Sequence, residues 1–504
     1  MAGSKERYQA LTAYRTQFLQ RARHNASLTI PSLVPLEGQD AQAHLVEPYQ
    51  SDGANNLISL ASRITMALLP AGRPYLRLDI PPKEVMSMEG DVPPEVQAEL
   101  AKGETLIQAA VERANWRSAT MQEVQQLIVA GSVTEEYMDD NTIRIHRLDR
   151  FVWRRDERGR MLECLLLEKW DREALPDGVP VPVDSTGALE DDVEIYTKIH
   201  RRQDDTYTVT KETGDGHSVS TVEFRARDLP YLFLRWSATP GEDYGRSKVE
   251  ETIADLRSLE GYVAASRQLG AMAAMNFVMI RPSASSNGLR NRLSRIENGD
   301  VVVGDPETVE LKQFANTQGA QIVAANVQEL RQSLGKAYLS QGAGQRDAER
   351  VTAAEIQRDI NEIEAVAGGP FSALSLEMLE VRTHLLMQQM IAAGEFPPVE
   401  EDALMPTILT GLEALSRERD VNRVMQAGQL IGAFGEEGIR QVKIPVLLGA
   451  GLVGLGFPNA IRPAKEVAAE KQQEQEQAMA QRAAPAAINA ASKAQEQQQQ
   501  QPQG

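Results

Sequence analysis

The chain has 504 residues, of which 42% are hydrophobic and 25% are charged, so length and composition predict a folded protein of about three domains. Its formal net charge of -18 argues against a protein that grips nucleic acid over a large surface, because such affinity needs many Lys and Arg contacts to phosphate. The single cysteine, Cys164, excludes an internal disulfide and a thiolate-clustered metal site, and no run approaches the roughly 20 apolar residues of a membrane helix.

Helical spacing of apolar residues marks the N-terminal part of the chain. Residues 5–24 are predicted to form a helix, which the prolines of residues 31–35 cannot continue. A second helix is predicted to end before Pro70, with an apolar face formed by Leu57, Ala61, Ile64 and Leu68. Two further helices are predicted over roughly 95–115 and 119–130.

From about 131 to 235 the apolar residues alternate with polar ones, which is typical of antiparallel strands. Residues 142–146 and 193–199 show this period of two most clearly. Turn-forming residues at 156–159 and 214–216 separate the runs. We therefore expect this part of the chain to be β-rich, with Cys164 in a buried apolar run.

Helical spacing returns after the β-rich part. Ser247, followed three residues later by Glu250, predicts a capping box at the start of a helix that follows Gly245. The apolar stripe of this helix is Val249, Ile253, Leu256, Leu259 and Val263.

A segment from Pro282 to Gly319, rich in Ser, Asn and Gly, interrupts the helices and contains one predicted strand at 300–303. A second helix is then predicted, with Val323, Val327, Leu330, Leu334 and Tyr338 on one face. A glycine-containing loop, 342–344, ends it.

Thr352 and Glu355 predict the cap of a third helix, and the Gly-Gly-Pro triplet at 368–370 is expected to kink or break it. Residues 400–462 resemble shorter helices separated by glycines. The Ala/Gln-rich residues 463–504 cannot bury a core, so they are predicted to be disordered or an exposed helix.

Patterns typical of enzymes are weak in this sequence. The glycines of 449–454 fit a dinucleotide fingerprint, but Pro458 leaves no room for the helix that such a site needs. There is no Walker A sequence, so the chain is not expected to hydrolyse ATP itself. The six histidines lack metal-ligand spacing. We expect no catalytic residue, no cofactor and no metal.

Several segments, taken in order, carry a specific resemblance. They are residues 28–33 (LTIPSL), 48–51 (PYQS) leading into 68–70 (LLP), 127–131 (LIVAG), 244–247 (YGRS) with 255–260 (DLRSLE), 349–355 (ERVTAAE) and 410–415 (TGLEAL). Over roughly residues 5–430 the chain resembles the head-to-tail connector (portal) proteins of short-tailed bacteriophages related to the T-odd coliphages.

The resemblance implies a mainly helical α+β portal fold that assembles into a ring of roughly twelve subunits with a central channel. It divides the chain into the following regions: wing 1–245 (helices 1–130, β-rich 131–235), first stem helix 246–280, clip 281–318, second stem helix 319–340, tunnel loop 341–350, kinked wing helix 351–399, crown 400–462 and tail 463–504.

The resemblance also implies the function and the partners. Such a ring occupies one capsid vertex, where a separate terminase large subunit, an ATPase, packages double-stranded DNA that is later ejected. Major capsid, scaffolding and tail adaptor proteins would bind the ring. The expected location is the virion, and the host cytoplasm during assembly, with no membrane.

Two groups of arginines are the candidate site residues. In the tunnel loop, Arg346 and Arg350 would face passing DNA, although local ion pairs with Asp347 or Glu349 are the alternative. In the clip, the residues expected to contact the motor or the tail are Arg281, Arg290, Arg292 and Arg295. A solvated surface of mixed charge is the alternative for the clip.

Two other functions compete with a passive conduit. An internal scaffold or core protein of the virion would also suit an acidic chain with an Ala/Gln-rich end. A nuclease would need a carboxylate cluster beside a basic groove, which the sequence does not show.

Overall fold

The computed structural model describes residues 3–36, 44–70, 75–80, 94–176, 179–181, 191–274, 276–280, 309–313, 317–340, 373–396, 405–408, 426–427 and 429. They belong to two compact units. The first comprises residues 1–71 and 111–385, and the second comprises residues 72–110 and 386–504. Among the described helices, none combines the length and the apolar character needed to cross a bilayer.

The N-terminal helices form where the apolar spacing predicts them. They are α1 (Ser4–Ser27), α2 (Asp52–Leu68), α3 (Pro94–Arg113) and α4 (Trp116–Ala130). All four predicted face residues of α2 are fully buried. A 3-10 turn over Pro31–Leu33 lies where the prolines were expected to stop the first helix.

Eight antiparallel strands follow, as the period of two predicts. They are β2 (Ser132–Tyr137), β3 (Ile143–His146), β4 (Phe151–Arg155), β5 (Met161–Asp171), β6 (Asp192–Arg201), β7 (Thr206–Thr213), β8 (Ser218–Arg225) and β9 (Tyr231–Arg235). One sheet has the order β4-β5-β6-β7-β8 and the other β3-β2-β9. Gly159 and Gly216 adopt positive φ angles of 79° and 85° in the two predicted turns.

Helix α1 covers the five-stranded sheet and closes its core. Tyr8 and Leu11 of α1 pack against Val152, Leu165 and Tyr196 of the strands. The rings of Tyr8 and Tyr196 meet edge to face with centroids 5.7 Å apart. The first helix is therefore part of the β-rich body and not a separate arm.

Two long helices and a two-stranded ribbon come next. They are α5 (Lys248–Ala274), β10 (Asn276–Ile280), β11 (Val309–Gln313) and α6 (Thr317–Ala337). The prediction that the first of these helices continues to residue 280 is wrong at its end. Residues 276–280 (NFVMI) are rich in aromatic and branched side chains, which favour a strand. The strand predicted at 300–303 lies outside the described residues.

The described C-terminal part begins with a π-helical segment, Ser375–Glu380, which continues into α7 (Val381–Ala392). The kink predicted at 368–370 and the tail 463–504 lie outside the described residues. Residues Met405–Ile408 form β12 and not one of the short helices expected there.

In the second unit, β1 (Leu76–Asp79) pairs antiparallel with β12. The carboxylate of Glu104 accepts a hydrogen bond from the backbone N–H of Leu78 at 3.1 Å. This contact holds α3 beside the small sheet.

Candidate functional site: the base of the helical hairpin

The arginines predicted as site residues, Arg281, Arg290, Arg292, Arg295, Arg346 and Arg350, all lie outside the described residues. Their roles therefore stay predictions. What the structure does describe is the pair of helices that flanks the predicted clip, together with the residues that hold this pair at its base.

Helices α5 and α6 pack side by side along their predicted apolar stripes. Leu256 and Leu259 of α5 and Leu334 of α6 have no exposed surface. Near the start of α5, the hydroxyl of Thr252 lies 2.8 Å from that of Tyr338, just beyond the end of α6. The start of one helix therefore meets the end of the other, which makes the pair an antiparallel hairpin.

The far end of the hairpin carries the ribbon of β10 and β11. Asn276 pairs with Gln313 and Ile280 pairs with Val309. Residues 281–308, the greater part of the predicted clip, thus begin and end at two paired positions. A segment joined in this way has its two ends fixed next to each other by the hairpin.

Two glycines meet at the base of the hairpin. Gly131 ends α4 with a φ of 76°, and Gly245 lies just before α5. A Cβ atom built on Gly131 would lie 2.6 Å from the carbonyl oxygen of Gly245, and one on Gly245 would lie 2.3 Å from that of Gly131. The backbones can approach this closely only because both residues lack a side chain. These glycines belong to two of the motif segments, 127–131 and 244–247.

The start of α5 is capped by Ser247, but only half of the predicted capping box forms. The Ser247 hydroxyl accepts from the backbone N–H of Glu250 at 3.1 Å. It also accepts from the side-chain amide of the buried Asn25, at 2.9 Å, and that amide donates to the Val129 carbonyl at 3.1 Å. The Glu250 carboxylate instead accepts from Arg246 at 3.3 Å. The cap thus joins α5 to α1 and α4.

A third contact ties α5 to the segment before α2. The Glu260 carboxylate accepts from the backbone N–H groups of Tyr49, at 2.7 Å, and Gln50, at 3.3 Å. The Gln50 side chain donates to the Leu28 carbonyl at 2.8 Å and accepts from the Gly53 N–H at 2.7 Å. The motif segments 28–33, 48–51 and 255–260 are therefore in contact.

The end of α6 is anchored on α2. Ser340 donates to the side-chain carbonyl of Asn56 at 2.6 Å, and Arg331 donates to Asp52 at 3.2 Å. Both helices of the hairpin are therefore attached to the N-terminal helices. Any movement of the hairpin must break these contacts or move the N-terminal helices with it.

Sequence reasoning missed a buried charge cluster around Arg382 of α7. The side chains of Arg382, Glu123 and Glu135 have no exposed surface. Arg382 donates to both oxygens of Glu135, at 2.6 and 2.7 Å, to the Thr120 hydroxyl at 2.8 Å, and to Glu123. The only signal in the sequence was Glu123, a carboxylate among the apolar residues of α4.

Burial and the neighbouring charges shift the pKa values of Glu123 and Arg382 in this cluster. Burial raises the pKa of Glu123 well above its ordinary value, with Arg382 opposing the shift. Burial would lower the pKa of Arg382, but the charges of Glu123 and Glu135 raise it above its usual value. The cluster fixes α7 to α4 and β2 through charge-assisted hydrogen bonds.

A second group joins the strands β2, β3 and β5. Ligand atoms of Glu136, His146 and Glu168 lie within 4.8 Å of one another, a spacing that could hold a metal ion. However, Lys211 lies 3.2 Å from Glu136, and Arg144 donates to Glu168 at 2.7 Å. Positive charge from the chain itself thus already balances both carboxylates.

The acidity of Glu136 follows from its surroundings. Burial alone would raise its pKa, but the hydrogen bond from His146, the charge of Lys211 and the hydrogen bond from Tyr231 together lower the pKa to about 2. Tyr231 donates to Glu136 at 2.6 Å. Glu136 is therefore an ionised group that joins β2 to β3, β7 and β9.

Cys164 lies in the core of the five-stranded sheet, as its apolar neighbours predict. It has no exposed surface, and burial raises the pKa of its thiol above the ordinary value. A buried, protonated thiol is a poor nucleophile.

The family of the chain follows from comparison with known proteins. The family model described as bacteriophage head to tail connecting protein matches residues 2–462. The portal protein of Escherichia phage T7 is 30% identical over 436 residues, which cover 84% of this chain and 80% of that protein. The portal protein of Enterobacteria phage T3 is 30% identical over 443 residues, with the same shares covered.

Two more distant comparisons add context. The portal protein of Enterobacteria phage SP6 is 27% identical over 422 residues. Among solved structures, a chain of the virion of a native gene transfer agent particle is 15% identical, with a TM-score of 0.34, and covers 76% of this chain and 87% of its own. Because the family model matches residues 2–462 of the 504, the chain belongs to the bacteriophage head to tail connecting protein family.

Proposed function

We propose that the chain is one subunit of a ring-shaped phage portal, a structural protein and not an enzyme. The family model and the T7 and T3 relatives, each named a portal protein, support this function. In the proposed ring, roughly twelve copies surround a channel. A separate terminase large subunit would drive double-stranded DNA through it into the capsid, and the DNA would later leave by the same route.

The observation that carries the proposal is the antiparallel hairpin of α5 and α6. We assign these helices to the stem that lines the channel, since each presents one apolar stripe to the other and leaves the opposite face exposed. Exposed residues of α5 include Ala254, Ser258 and Gly261, and those of α6 include Ile322 and Gln328. Copies of such a hairpin placed side by side would form a helical wall.

The paired ends of residues 281–308 support their assignment as the clip. A clip that projects from the hairpin would present Arg281, Arg290, Arg292 and Arg295 to the packaging motor and to the tail adaptor protein. We assign Arg346 and Arg350 to the tunnel loop beside the DNA. The net charge of -18 suits a channel through which DNA must slide and not adhere.

The rest of the chain would face the capsid. We assign the described part of residues 1–245 and α7 to the wing, where major capsid and scaffolding proteins would bind. In this proposal the subunit is a virion protein at the portal vertex and assembles in the host cytoplasm.

The test is the state of the purified full chain. Light scattering is expected to give a mass close to a dozen subunits, and negative-stain images are expected to show rings with an axial hole. Monomers at every concentration and salt condition, or solid particles typical of a scaffold, would rule the proposal out.

A pair of variants tests the hairpin itself. Ile322 is 63% exposed on α6, so Ile322→Asp is expected to block ring formation without unfolding the chain, because a charge would be buried between copies. The control is Gln328→Asp, an exposed position on a different face of the same helix. Equal ring yields from both variants would show that this face of α6 does not lie between copies.

A further inference from the structure

A cavity of about 470 Å³ lies in the first unit, away from the hairpin interface. Its walls are the β4–β5 turn, with residues 155–159, and the loop that follows β9, with residues 238–243, together with Arg235. Three arginines line it, namely Arg155, Arg158 and Arg235. Nothing in the proposed ring function uses this cavity.

The guanidinium of Arg155 is held rigidly in the wall. It donates to the carbonyl oxygens of Phe233 and Gly159, both at 2.8 Å, and of Asp243 at 3.1 Å. It also lies 4.8 Å from the centre of the Trp153 ring. All these acceptors are neutral, so no carboxylate of the described residues is bound to the guanidinium.

Arg235 lies beside Arg155 and is held more loosely. Its single hydrogen bond among the described residues runs to the Glu242 carbonyl oxygen at 3.3 Å, which leaves most of its five N–H groups available. Burial lowers the pKa of Arg155 to about 10, and the charge of Arg235 adds to the shift. Both guanidiniums stay protonated at neutral pH, and among the described residues neither forms an ion pair with a carboxylate, although the charges of Asp243 and Glu377 act on both.

Three of the four carboxylates in the wall, those of Asp156, Glu242 and Asp243, accept hydrogen bonds from the chain, and the fourth, Glu157, accepts none from the described residues. Asp156 accepts from the Arg160 side chain at 2.7 Å, and Glu242 accepts from that of Arg246 at 2.7 Å. Asp243 accepts from the backbone N–H of Arg155 at 2.7 Å. Burial lowers the pKa of both arginines, and the charges of Glu377, on the π-helical segment, and Asp243 oppose this shift; Glu377 forms no ion pair with either arginine.

We propose that Arg155 and Arg235 form a binding pocket for a compact oxyanion, either a free phosphate or a carboxylate of a docked protein segment. Planar guanidinium groups match the paired oxygens of both anions. In this pocket Arg155 is the fixed donor and Arg235 turns its free N–H groups towards the anion. A polyanion such as duplex DNA is disfavoured, because Asp156, Glu157 and Glu242 surround the arginines.

The experiment is isothermal titration of the full chain with inorganic phosphate and, separately, with glutamate blocked at both its amino and α-carboxyl groups. Ionic strength is kept constant with sodium chloride. Saturable binding is expected, and Arg235→Gln is expected to weaken it at least about ten-fold, since it removes charge-assisted hydrogen bonds. Arg154→Gln is the control: it makes the same charge change at an exposed position on the same strand.

The two arms distinguish the source of the anion. Binding of phosphate alone supports a free anion, whereas binding of the blocked glutamate supports a carboxylate from a protein segment. The proposal is overturned if neither probe gives saturable heat beyond the chloride control, if Arg235→Gln binds like the unaltered chain, or if only duplex DNA binds. None of these outcomes depends on whether the chain forms a ring.

Discussion

The carbonyl oxygen of Gly131 occupies the space where a side chain on Gly245 would begin, 2.3 Å from the ideal Cβ position. This approach joins the end of α4 to the residue that leads into α5. Two short motifs more than a hundred residues apart in sequence are therefore one structural feature, and the position of the hairpin depends on it.

The first prediction concerns this approach. Gly245→Ala is expected to lower the free energy of unfolding by about 2–3 kcal/mol or to prevent folding, because backbone atoms must move to make room for the methyl group. Urea unfolding followed by circular dichroism measures the effect. The control is Gly261→Ala in α5, where a Cβ meets nothing within 4 Å, and a gain of about 0.5–1 kcal/mol is expected. Equal stability of the two variants would contradict the prediction.

The second prediction concerns the buried cluster of α7. Arg382→Met leaves Glu123 and Glu135 buried without their cation, so a loss of about 3–5 kcal/mol is expected. The comparison is Arg331→Met, which breaks the more exposed ion pair with Asp52 and is expected to cost less than about 1 kcal/mol. Midpoints of urea unfolding give both values. A similar small effect from both variants would show that the cluster does not hold α7 in place.

The third prediction concerns acid sensitivity. The pKa of Glu136 is about 2 in the folded chain, against an ordinary value of 4.5. A lowered pKa means that this carboxylate stabilises the fold above about pH 4.5 and that the contribution is lost as the pH falls towards 2. Glu136→Gln should therefore lose up to about 3 kcal/mol at pH 6 and progressively less in stronger acid.

Urea unfolding curves recorded at several pH values from mildly to strongly acidic measure this effect. Glu380→Gln, at an exposed position, serves as the control and should follow the unaltered chain throughout. A constant difference between Glu136→Gln and the unaltered chain across the whole pH range would show that the charge of Glu136 is not the cause.

The fourth prediction concerns the tunnel loop of the proposed portal. Replacing Arg346 and Arg350 together with alanine is expected to leave ring assembly intact and to impair packaging or retention of DNA, because the loop would lose its attraction for phosphate. DNase-protected DNA per particle is the measurement. Lys336→Ala, which removes an exposed cation near the end of α6, is the comparison. Normally filled heads from the double variant would contradict the assignment of Arg346 and Arg350 to a loop beside the DNA.

Periodicity predicted most of the described elements correctly. The predicted stripe is fully buried in α2, buried at Leu256 and Leu259 in α5, and buried at Leu334 near the end of α6. A helix that packs one face needs apolar residues three and four positions apart, so this face can be read from the sequence. The turns at Gly159 and Gly216 were visible for a similar reason, since positive φ angles favour glycine. Such signals involve residues that are close in sequence, so they can be recognised without knowledge of the fold.

Long-range contacts were not predictable in the same way. Arg382 contacts residues that lie about 250 positions earlier, and no spacing rule links them. The switch from helix to strand after Ala274 was missed because the apolar run that continues through residues 276–280 fits either structure. The capping box was half wrong because Arg246 and not the backbone binds Glu250.

The pairing of Ile280 with Val309 has a consequence for how relatives of this protein can diverge. A segment that leaves and rejoins the body at adjacent points can gain or lose residues at little entropic cost and without shifting either helix. Insertions between these two residues would thus be tolerated where the same change inside α5 or α6 would rotate every later side chain. Selection for a different host or docking partner could therefore change the sequence between Ile280 and Val309 while α5 and α6 stay as they are.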